Sequence, residues 1–270
     1  DFTGGRIDAL VETMSLGRDC QPNHSASGSQ RVNTGVLTFD NGIVDVNTLI
    51  VGNQSLAQAG STSVTPNQGY VNVNSANATL VVNQTLKLAD TSAQNHTGAQ
   101  QTFGRVTVNG GTVRANTVTV GGSTVTNAII DLSNSATFVL SNTLATAAKP
   151  LRTLAASDST LVLNLTGAPA AGYVTNLVTG GNANTISIGS SVIFSAYPAQ
   201  VALFKYTVLS NTTTGNGTHN FVLGTLPANI PGAYLTNNTF NSSLDLYLPT
   251  DPRPVVTDAP DPFSGPPGSL

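Results

Sequence analysis

Histidine, cysteine and the charged residues are the side chains of this chain that could carry out chemistry, and they are few. The 270 residues include three histidines, one cysteine, ten Lys or Arg and thirteen Asp or Glu. Cys20 and His24 form the one candidate nucleophile pair, because an imidazole beside a thiol can activate it. Their spacing would align them only on a helix, and none is predicted there. We interpret them as a loop thiol and a solvated imidazole.

The other two histidines do not resemble metal ligands. His96 and His219 lie in predicted loops, and neither has a His, Cys or carboxylate within four residues along the chain, so a zinc site is not predicted. The glycine-rich phosphate motif GxGxxG is absent, as are the repeating aspartates of calcium-binding β-rolls. We predict no metal and no cofactor.

Carboxylates are too dispersed to predict an enzyme. Glycan hydrolysis needs paired carboxylates, and elimination needs a base beside a neutralising charge. Asp40 and Asp45 are the closest pair within a well-formed repeat, and Arg114 aligns with Asp45 in another copy. A contact between Asp45 and Arg114 would be a surface ion pair of little energetic weight. Three further charged residues are predicted to be isolated: Lys87, Arg105 and Asp131.

Composition excludes several classes of protein. Charged residues make up 9% of the chain, against about a quarter in ordinary globular domains. The net charge of −3 does not favour nucleic acid, and no apolar run approaches the roughly 20 residues of a membrane-spanning helix. The single cysteine excludes an intrachain disulfide. The sequence starts at Asp1 without a leader, and we expect a processed protein that is secreted or displayed at the cell surface.

A repeat organises the first half of the chain. The stretch Gly35–Gly52, GVLTFDNGIVDVNTLIVG, aligns without a gap with Gly104–Gly121, GRVTVNGGTVRANTVTVG. A third copy starts at Gly69 and a partial fourth covers Thr3–Gly17, which gives a period of 34 to 35 residues. A fixed period in this range is typical of solenoids. Alternating β-branched residues around Asn-Gly turns predict three strands per copy.

The period loosens after residue 122, although strand signals continue. We predict one domain over residues 1–249, with regular repeats in 1–122 and irregular or capping rungs in 123–249. Residues 250–270 are rich in proline and are predicted to be a linker or tail. The strands predicted in the irregular part are Ala128–Leu132, Ala136–Leu140, Ser159–Leu165, Tyr173–Val178, Thr185–Ile188, Val192–Ala196, Ala202–Leu209, Phe221–Leu223 and Leu244–Leu248.

Asparagine recurs at equivalent turns and corners of the copies. Stacked asparagines form amide ladders, and asparagine tolerates left-handed backbone conformations. We therefore predict a structural role for six of them: Asn41, Asn47, Asn74, Asn83, Asn109 and Asn116. Asn83 is equivalent to Asn47 and Asn116 in the repeat alignment only if the turn of the third copy is two residues longer. In Thr112–Val120, Val118 and Val120 are expected on one face, and Thr117 and Thr119 on the other.

The repeat unit GxLTxxxGxVxxNTLxVG, together with the segments NTISIGSSVIFSAYPAQVALFKY and NFVLGTLPANIPGAYLTNNTFNSSLDLYL, resembles autotransporter-associated β-strand repeat proteins. The resemblance covers about residues 1–249. It implies an all-β, right-handed parallel β-helix in an exported or surface protein, and it transfers no catalytic residues. The right hand also agrees with the general rule for parallel crossovers.

Sequons Asn-x-Ser/Thr are frequent, as expected in a chain rich in these residues. The three that we place in exposed loops, and therefore regard as candidate glycosylation sites, are Asn53, Asn95 and Asn216.

Two functions are compatible with these observations. We favour a non-enzymatic extracellular protein, a β-solenoid subunit of a surface fibre, filament or stalk that polymerises head-to-tail through the ends of the β-helix. The alternative is a polysaccharide-binding or adhesin module, and less favoured still is a polysaccharide lyase. Glycan binding on a long sheet face would require aromatic residues there, and Tyr70 is the only one that starts a repeat.

Overall fold

The computed structural model describes residues 1–18, 33–53, 67–90, 102–121, 126–164, 172–189, 199–227, 230 and 232–248. All regular structure in these ranges is β-strand, with no helix. The strands in chain order are β1 (Ile7–Arg18), β2 (Asn33–Phe39), β3 (Gly42–Asn53), β4 (Asn67–Asn74), β5 (Ala78–Asp90), β6 (Thr102–Asn109), β7 (Thr112–Val120), β8 (Thr126–Ser133), β9 (Thr137–Leu140), β10 (Leu151–Ser157), β11 (Thr160–Leu163), β12 (Gly172–Gly180), β13 (Asn184–Ile188), β14 (Ala199–Asn211), β15 (Gly215–Asn216), β16 (Phe221–Leu223), β17 (Tyr234–Asn238) and β18 (Ser243–Leu248).

The strands form two sheets between which the chain alternates. The eight-stranded sheet has the order β1-β3-β5-β7-β9-β11-β13-β16, and the ten-stranded sheet has the order β17-β18-β14-β12-β10-β8-β6-β4-β2. Pairing is parallel from β1 to β16 in the first sheet and from β2 to β14 in the second. Each turn of the chain thus adds one strand to each sheet. This topology is that of stacked rungs and fits the predicted β-solenoid.

In the first rungs a third face extends the eight-stranded sheet around a corner. Along β3, Val44 and Val46 are buried, and the alternation then slips so that Leu49 and Val51 are buried. The chain therefore bends at Asn47, although it remains one continuous strand. The three predicted strands per copy correspond to β2 and to the two halves of β3.

The pairing register agrees with the repeat alignment and shows where the repeat ends. Gly35 lies opposite Gly69, and Gly69 opposite Gly104, which are separations of 34 and 35 residues. Gly104 then lies opposite Ala128, only 24 residues later. The rung shortens because only residues 121–125 separate β7 from β8, whereas residues 91–101 separate β5 from β6. In the following rung β9 ends at Leu140, and the third face continues only as a single bridge from Leu144 to Val118.

The core is a stack of aliphatic columns between the sheets. Val118 is fully buried and Val120 is 5% exposed, whereas Thr117 and Thr119 lie on the outer side, as predicted. Three aromatic side chains of the described residues are also fully buried in the core: Phe39, Phe138 and Phe204. Packing of such columns against the next rung is what a single repeat cannot achieve alone.

The far end of the stack changes strand direction. β14 pairs antiparallel with β18, and β18 pairs antiparallel with β17. Leu244, Leu246 and Leu248 of β18 are at most 1% exposed, so this hairpin covers the last part of the core. Of the strands predicted after residue 122, Val192–Ala196 and the last residue of Ser159–Leu165 lie outside the described residues. The structure also contains three strands that were not predicted: β10, β15 and β17. Residues 250–270 also lie outside the described ranges.

Candidate functional site

Of the four residues considered for a nucleophile or a metal site, the structure describes only His219. Cys20, His24 and His96 lie outside the described residues. His219 is half-buried, and its Nδ1 accepts a hydrogen bond from the Phe221 N–H at 3.2 Å. Burial lowers its pKa. Within the described ranges, no three His, Cys, Asp or Glu residues lie close enough together to hold a metal ion.

The charged residues are arranged differently from the sequence prediction. Asp45 and Arg114 lie in the same register with Val81 between them, and Asp45 Oδ1 accepts a hydrogen bond from Asn83 at 2.6 Å. The prediction that Lys87, Arg105 and Asp131 are isolated is wrong. Arg105 Nε lies 2.6 Å from Asp131 Oδ2, and Lys87 Nζ lies 2.8 Å from Asp90 Oδ2. Asp131 lies on the neighbouring strand β8, whereas Asp90 follows Lys87 by three residues on β5.

Asparagines line the corner of the first rungs. Asn83 Nδ2 donates to Asn47 Oδ1 at 3.3 Å, and Asn47 Nδ2 donates to Glu12 Oε2 at 2.5 Å. A register shift in β5 accommodates the longer third copy at this corner. Asn116 occupies the same corner in β7, between Ala115 and Thr117. These contacts join successive rungs outside the core.

At the turn between β2 and β3, and at the equivalent turns of the next two copies, positive φ angles occur at the residues that follow the predicted asparagines. Asn74 lies opposite Asn109, and Asn109 Oδ1 accepts from Asn134 Nδ2 at 2.6 Å. The left-handed conformation expected at asparagine belongs to the following residue instead: φ is 99° at Gly42 after Asn41, 94° at Ser75 and 79° at Gly110. The expectation about left-handed asparagine is therefore wrong for Asn41, Asn74 and Asn109.

The candidate glycosylation sites differ in exposure. Asn53 is not in a loop but ends β3, is 5% exposed, and donates from Nδ2 to Ser15 Oγ at 2.9 Å. Its placement as an exposed acceptor was wrong, because Asn53 packs between rungs. Asn216 is exposed at the tip that carries β15. Asn95 lies outside the described residues.

The outermost strand of the eight-stranded sheet, β1, has core residues that are incompletely covered. Val11, Met14 and Leu16 lie opposite Val46, Leu49 and Val51 of β3. The β3 residues are fully buried, whereas their β1 counterparts are only partly buried.

Within the described residues, no strand pairs with β1 on the side away from β3, and the ladder shows which backbone groups lie on that side. Ile7 N–H donates to the Asn41 carbonyl at 3.1 Å, and in a parallel ladder alternate residues face the same neighbour. The N–H and C=O of Leu10 therefore point away from β3. The Leu10 side chain is 86% exposed.

A second group of side chains lies on the outer face of the ten-stranded sheet. The rings of Tyr70 and Phe103 have centroids 5.2 Å apart, and Tyr70 Oη donates to Gln68 Oε1 at 3.1 Å. Tyr70 lies opposite Arg105, which is paired with Asp131. We call Gln68, Tyr70, Phe103, Arg105 and Asp131 the aromatic patch. Sequence reasoning missed it because Phe103 precedes the repeat glycine Gly104 and so lies outside the aligned repeat unit, although it alternates with Arg105 along β6.

A groove of about 450 Å³ lies where the third face ends. Its walls include Lys87, Asp90, Thr119 and Lys149. Asp90 is 4% exposed and is paired with Lys87, so one of the two lysines is already neutralised.

The antiparallel end contains a buried carboxylate. Asp245 is 2% exposed, and its Oδ2 accepts from Gln200 Nε2 at 2.6 Å and from Asn238 Nδ2 at 3.0 Å. Tyr206 nearby donates its hydroxyl to Asn237 Oδ1. Burial and the negative charge of Asp245 raise the pKa of Tyr206.

Comparison with protein-family models, curated proteins and solved structures finds no match. The resemblance to autotransporter-associated repeats therefore stays a prediction. A search of the described residues for a helix long and apolar enough to cross a membrane finds none.

Proposed function

We propose that this protein is a non-enzymatic, extracellular β-solenoid subunit of a fibre, filament or stalk, and that it associates with a second copy through β1. The observation that carries the proposal is the incompletely covered core of β1. Val11, Met14 and Leu16 would become as buried as Val46, Leu49 and Val51 if another rung were stacked on them. Burial of apolar surface is the dominant favourable contribution to such association.

Features of the whole chain support a mechanical role. The charged fraction is 9%, and contacts such as Asn83–Asn47 and Asn47–Glu12 join rungs outside the core. Right-handed winding, which parallel crossovers favour, would give the stacked copies the same hand. Secretion or surface display is the compartment in which such a fibre would be used.

The second copy would join head-to-tail. The far edge of the eight-stranded sheet is β16, which is parallel to β13, so β1 of another copy could extend the sheet in the same direction. Gly224 N–H donates to the Ile186 carbonyl, and alternation therefore points the N–H of Leu223 away from β13. An unprotected edge of this kind is a template for strand addition.

Proline substitutions at the two edges test the proposal. Leu10→Pro and Leu223→Pro each remove a donor that faces the open edge while sparing the ladder inside the chain. For the wild-type chain, size-exclusion chromatography with light scattering and electron microscopy should show concentration-dependent filaments. Both proline variants should remain monomeric, whereas Leu10→Ala, which keeps the N–H, should still assemble.

Two results would overturn this assembly. The first is a wild-type chain that stays monomeric at high concentration, because the proposal requires self-association. A dimer that Leu10→Pro abolishes and Leu223→Pro preserves would mean pairing of two β1 strands, not a head-to-tail filament.

A further inference from the structure

We propose that the aromatic patch on the outer face of the ten-stranded sheet is a binding site for an uncharged saccharide. Its members lie on three adjacent strands, β4, β6 and β8. At about 4.8 Å between strands, the patch is roughly 10 Å wide. This site is separate from the β1 edge and does not depend on the assembly proposed above.

The aromatic pair provides the apolar part of the site. Tyr70 and Phe103 are both half-buried, so each ring keeps a surface toward solvent. Their planes are inclined by 41°, and the hydrogen bond from Tyr70 to Gln68 holds the hydroxyl in place. Aromatic rings present a broad apolar face with little conformational freedom to lose. Such faces suit the C–H surface of a sugar ring.

The polar part lies directly beside the rings. Arg105 is opposite Tyr70 on the neighbouring strand and two residues from Phe103 on its own strand. Within the described residues, Nε of Arg105 pairs with Oδ2 of Asp131. A guanidinium has five N–H donors and a carboxylate two acceptor oxygens. The terminal N–H groups and Oδ1 are therefore suited to donate to and accept from sugar hydroxyls.

The charge of the patch selects the class of saccharide. Arg105 and Asp131 neutralise each other, and the outward residues beside them are uncharged: Val36, Thr38, Asn72, Thr107 and Ile129. An acidic glycan would meet a carboxylate here without an excess of positive charge. A neutral chain rich in hydroxyls finds both donors and acceptors.

Affinity electrophoresis of the full chain tests the site. The gels would contain neutral polysaccharides (β-1,4-glucan, β-1,3-glucan, xylan or mannan) or acidic ones (polygalacturonate or alginate). We expect at least one neutral polysaccharide to retard the wild-type chain. Tyr70→Leu and Phe103→Leu, which keep apolar bulk and remove the ring, should each weaken retardation about tenfold.

Further variants separate binding from folding. Arg105→Gln should also weaken retardation, because it replaces the guanidinium and breaks the pair with Asp131. Tyr173→Ala is the matched control, since Tyr173 is a half-buried aromatic on the outer side of the same sheet in β12. It should bind like the wild type. The chain has no tryptophan, so tyrosine emission reports ligand binding directly, and its change on titration should disappear in Tyr70→Leu.

The outcomes are decisive in both directions. Failure of every neutral polysaccharide to retard the wild type overturns the proposal, as does retardation by acidic polysaccharides alone. Equal retardation of wild type, Tyr70→Leu and Phe103→Leu would place any saccharide site elsewhere. If a variant has a changed circular dichroism spectrum, the tyrosine titration of Arg105→Gln decides, and an unchanged affinity there overturns the site.

Discussion

Gly52 and Gly69 lie in direct backbone contact where one rung ends and the next begins. A Cβ on Gly69 would come within 2.1 Å of the Gly52 amide nitrogen. The same contact joins Gly17 and Gly35, where a Cβ on Gly35 would come within 2.2 Å of the Gly17 nitrogen. Gly17 and Gly52 also have positive φ angles of 65° and 75°. The first and last glycines of the repeat are therefore one spatial feature that closes the first two turns.

Gly69→Ala should destabilise the fold by about 3 kcal/mol or more, because overpacking against rigid backbone cannot be relieved by a rotamer change. Chemical denaturation followed by circular dichroism measures the loss. Gly5→Ala is the control, since a Cβ there would have only the Phe2 carbonyl oxygen nearby, at 3.8 Å. Equal stability of Gly69→Ala and Gly5→Ala would contradict the role assigned to the glycine contact.

The sequence predicts the first rungs well because each copy obeys the same local rules. Alternation of valine and threonine determines which side chains face the core, and the glycine period determines the register from Gly35 to Gly69 and Gly104. Even the longer turn in the third copy follows from aligning Asn83 with Asn47 and Asn116.

The features that were not predicted depend on contacts between rungs. The rings of Tyr70 and Phe103 are in contact because Phe103 lies opposite Gln68, two residues before Tyr70. Tyr70 and Phe103 belong to different copies of the repeat, so their spacing along the chain does not predict this contact. The pair of Arg105 with Asp131 requires the short rung after Gly104, whose register the sequence alone does not determine. Loss of the third face is likewise visible only when β9 is placed beside β7.

Glycan should be attached at Asn216 and not at Asn53 when the chain is produced in a host that glycosylates exported proteins. Asn216 is exposed, whereas Asn53 is 5% exposed and bonded to Ser15. Peptide mapping by mass spectrometry of the folded protein measures occupancy at both sequons. Modification of Asn53 in folded protein would contradict the packing of β3 against β1. Asn216→Gln is the control that should remove the assigned glycan.

Asp245→Asn should lower the pKa of Tyr206. Burial is the larger cause of the raised pKa of Tyr206, and the negative charge of Asp245 is the smaller cause because it disfavours the phenolate. Removing the charge eliminates the second cause and leaves the first, so the pKa should fall while staying above the ordinary value of 10.0. Ultraviolet titration of phenolate formation, compared with Tyr206→Phe to identify the residue, measures it. Asp131→Asn, on a distant strand, should leave the Tyr206 titration unchanged.

His219 should make the fold less stable as the pH falls below about 6.5. Burial lowers its pKa in the folded state, so the unfolded chain binds the proton more readily and stability is lost on acidification. Protonation of Nδ1 would also remove the acceptor for the N–H of Phe221, the first residue of β16. Denaturant unfolding at pH 7.5, 6.0 and 5.0 should show a decrease that is smaller in His219→Asn, whose Oδ1 can accept the same N–H without titrating. His24 and His96 are present in both proteins, so their contributions cancel in the comparison. An identical pH dependence in both proteins would contradict the effect of His219 burial.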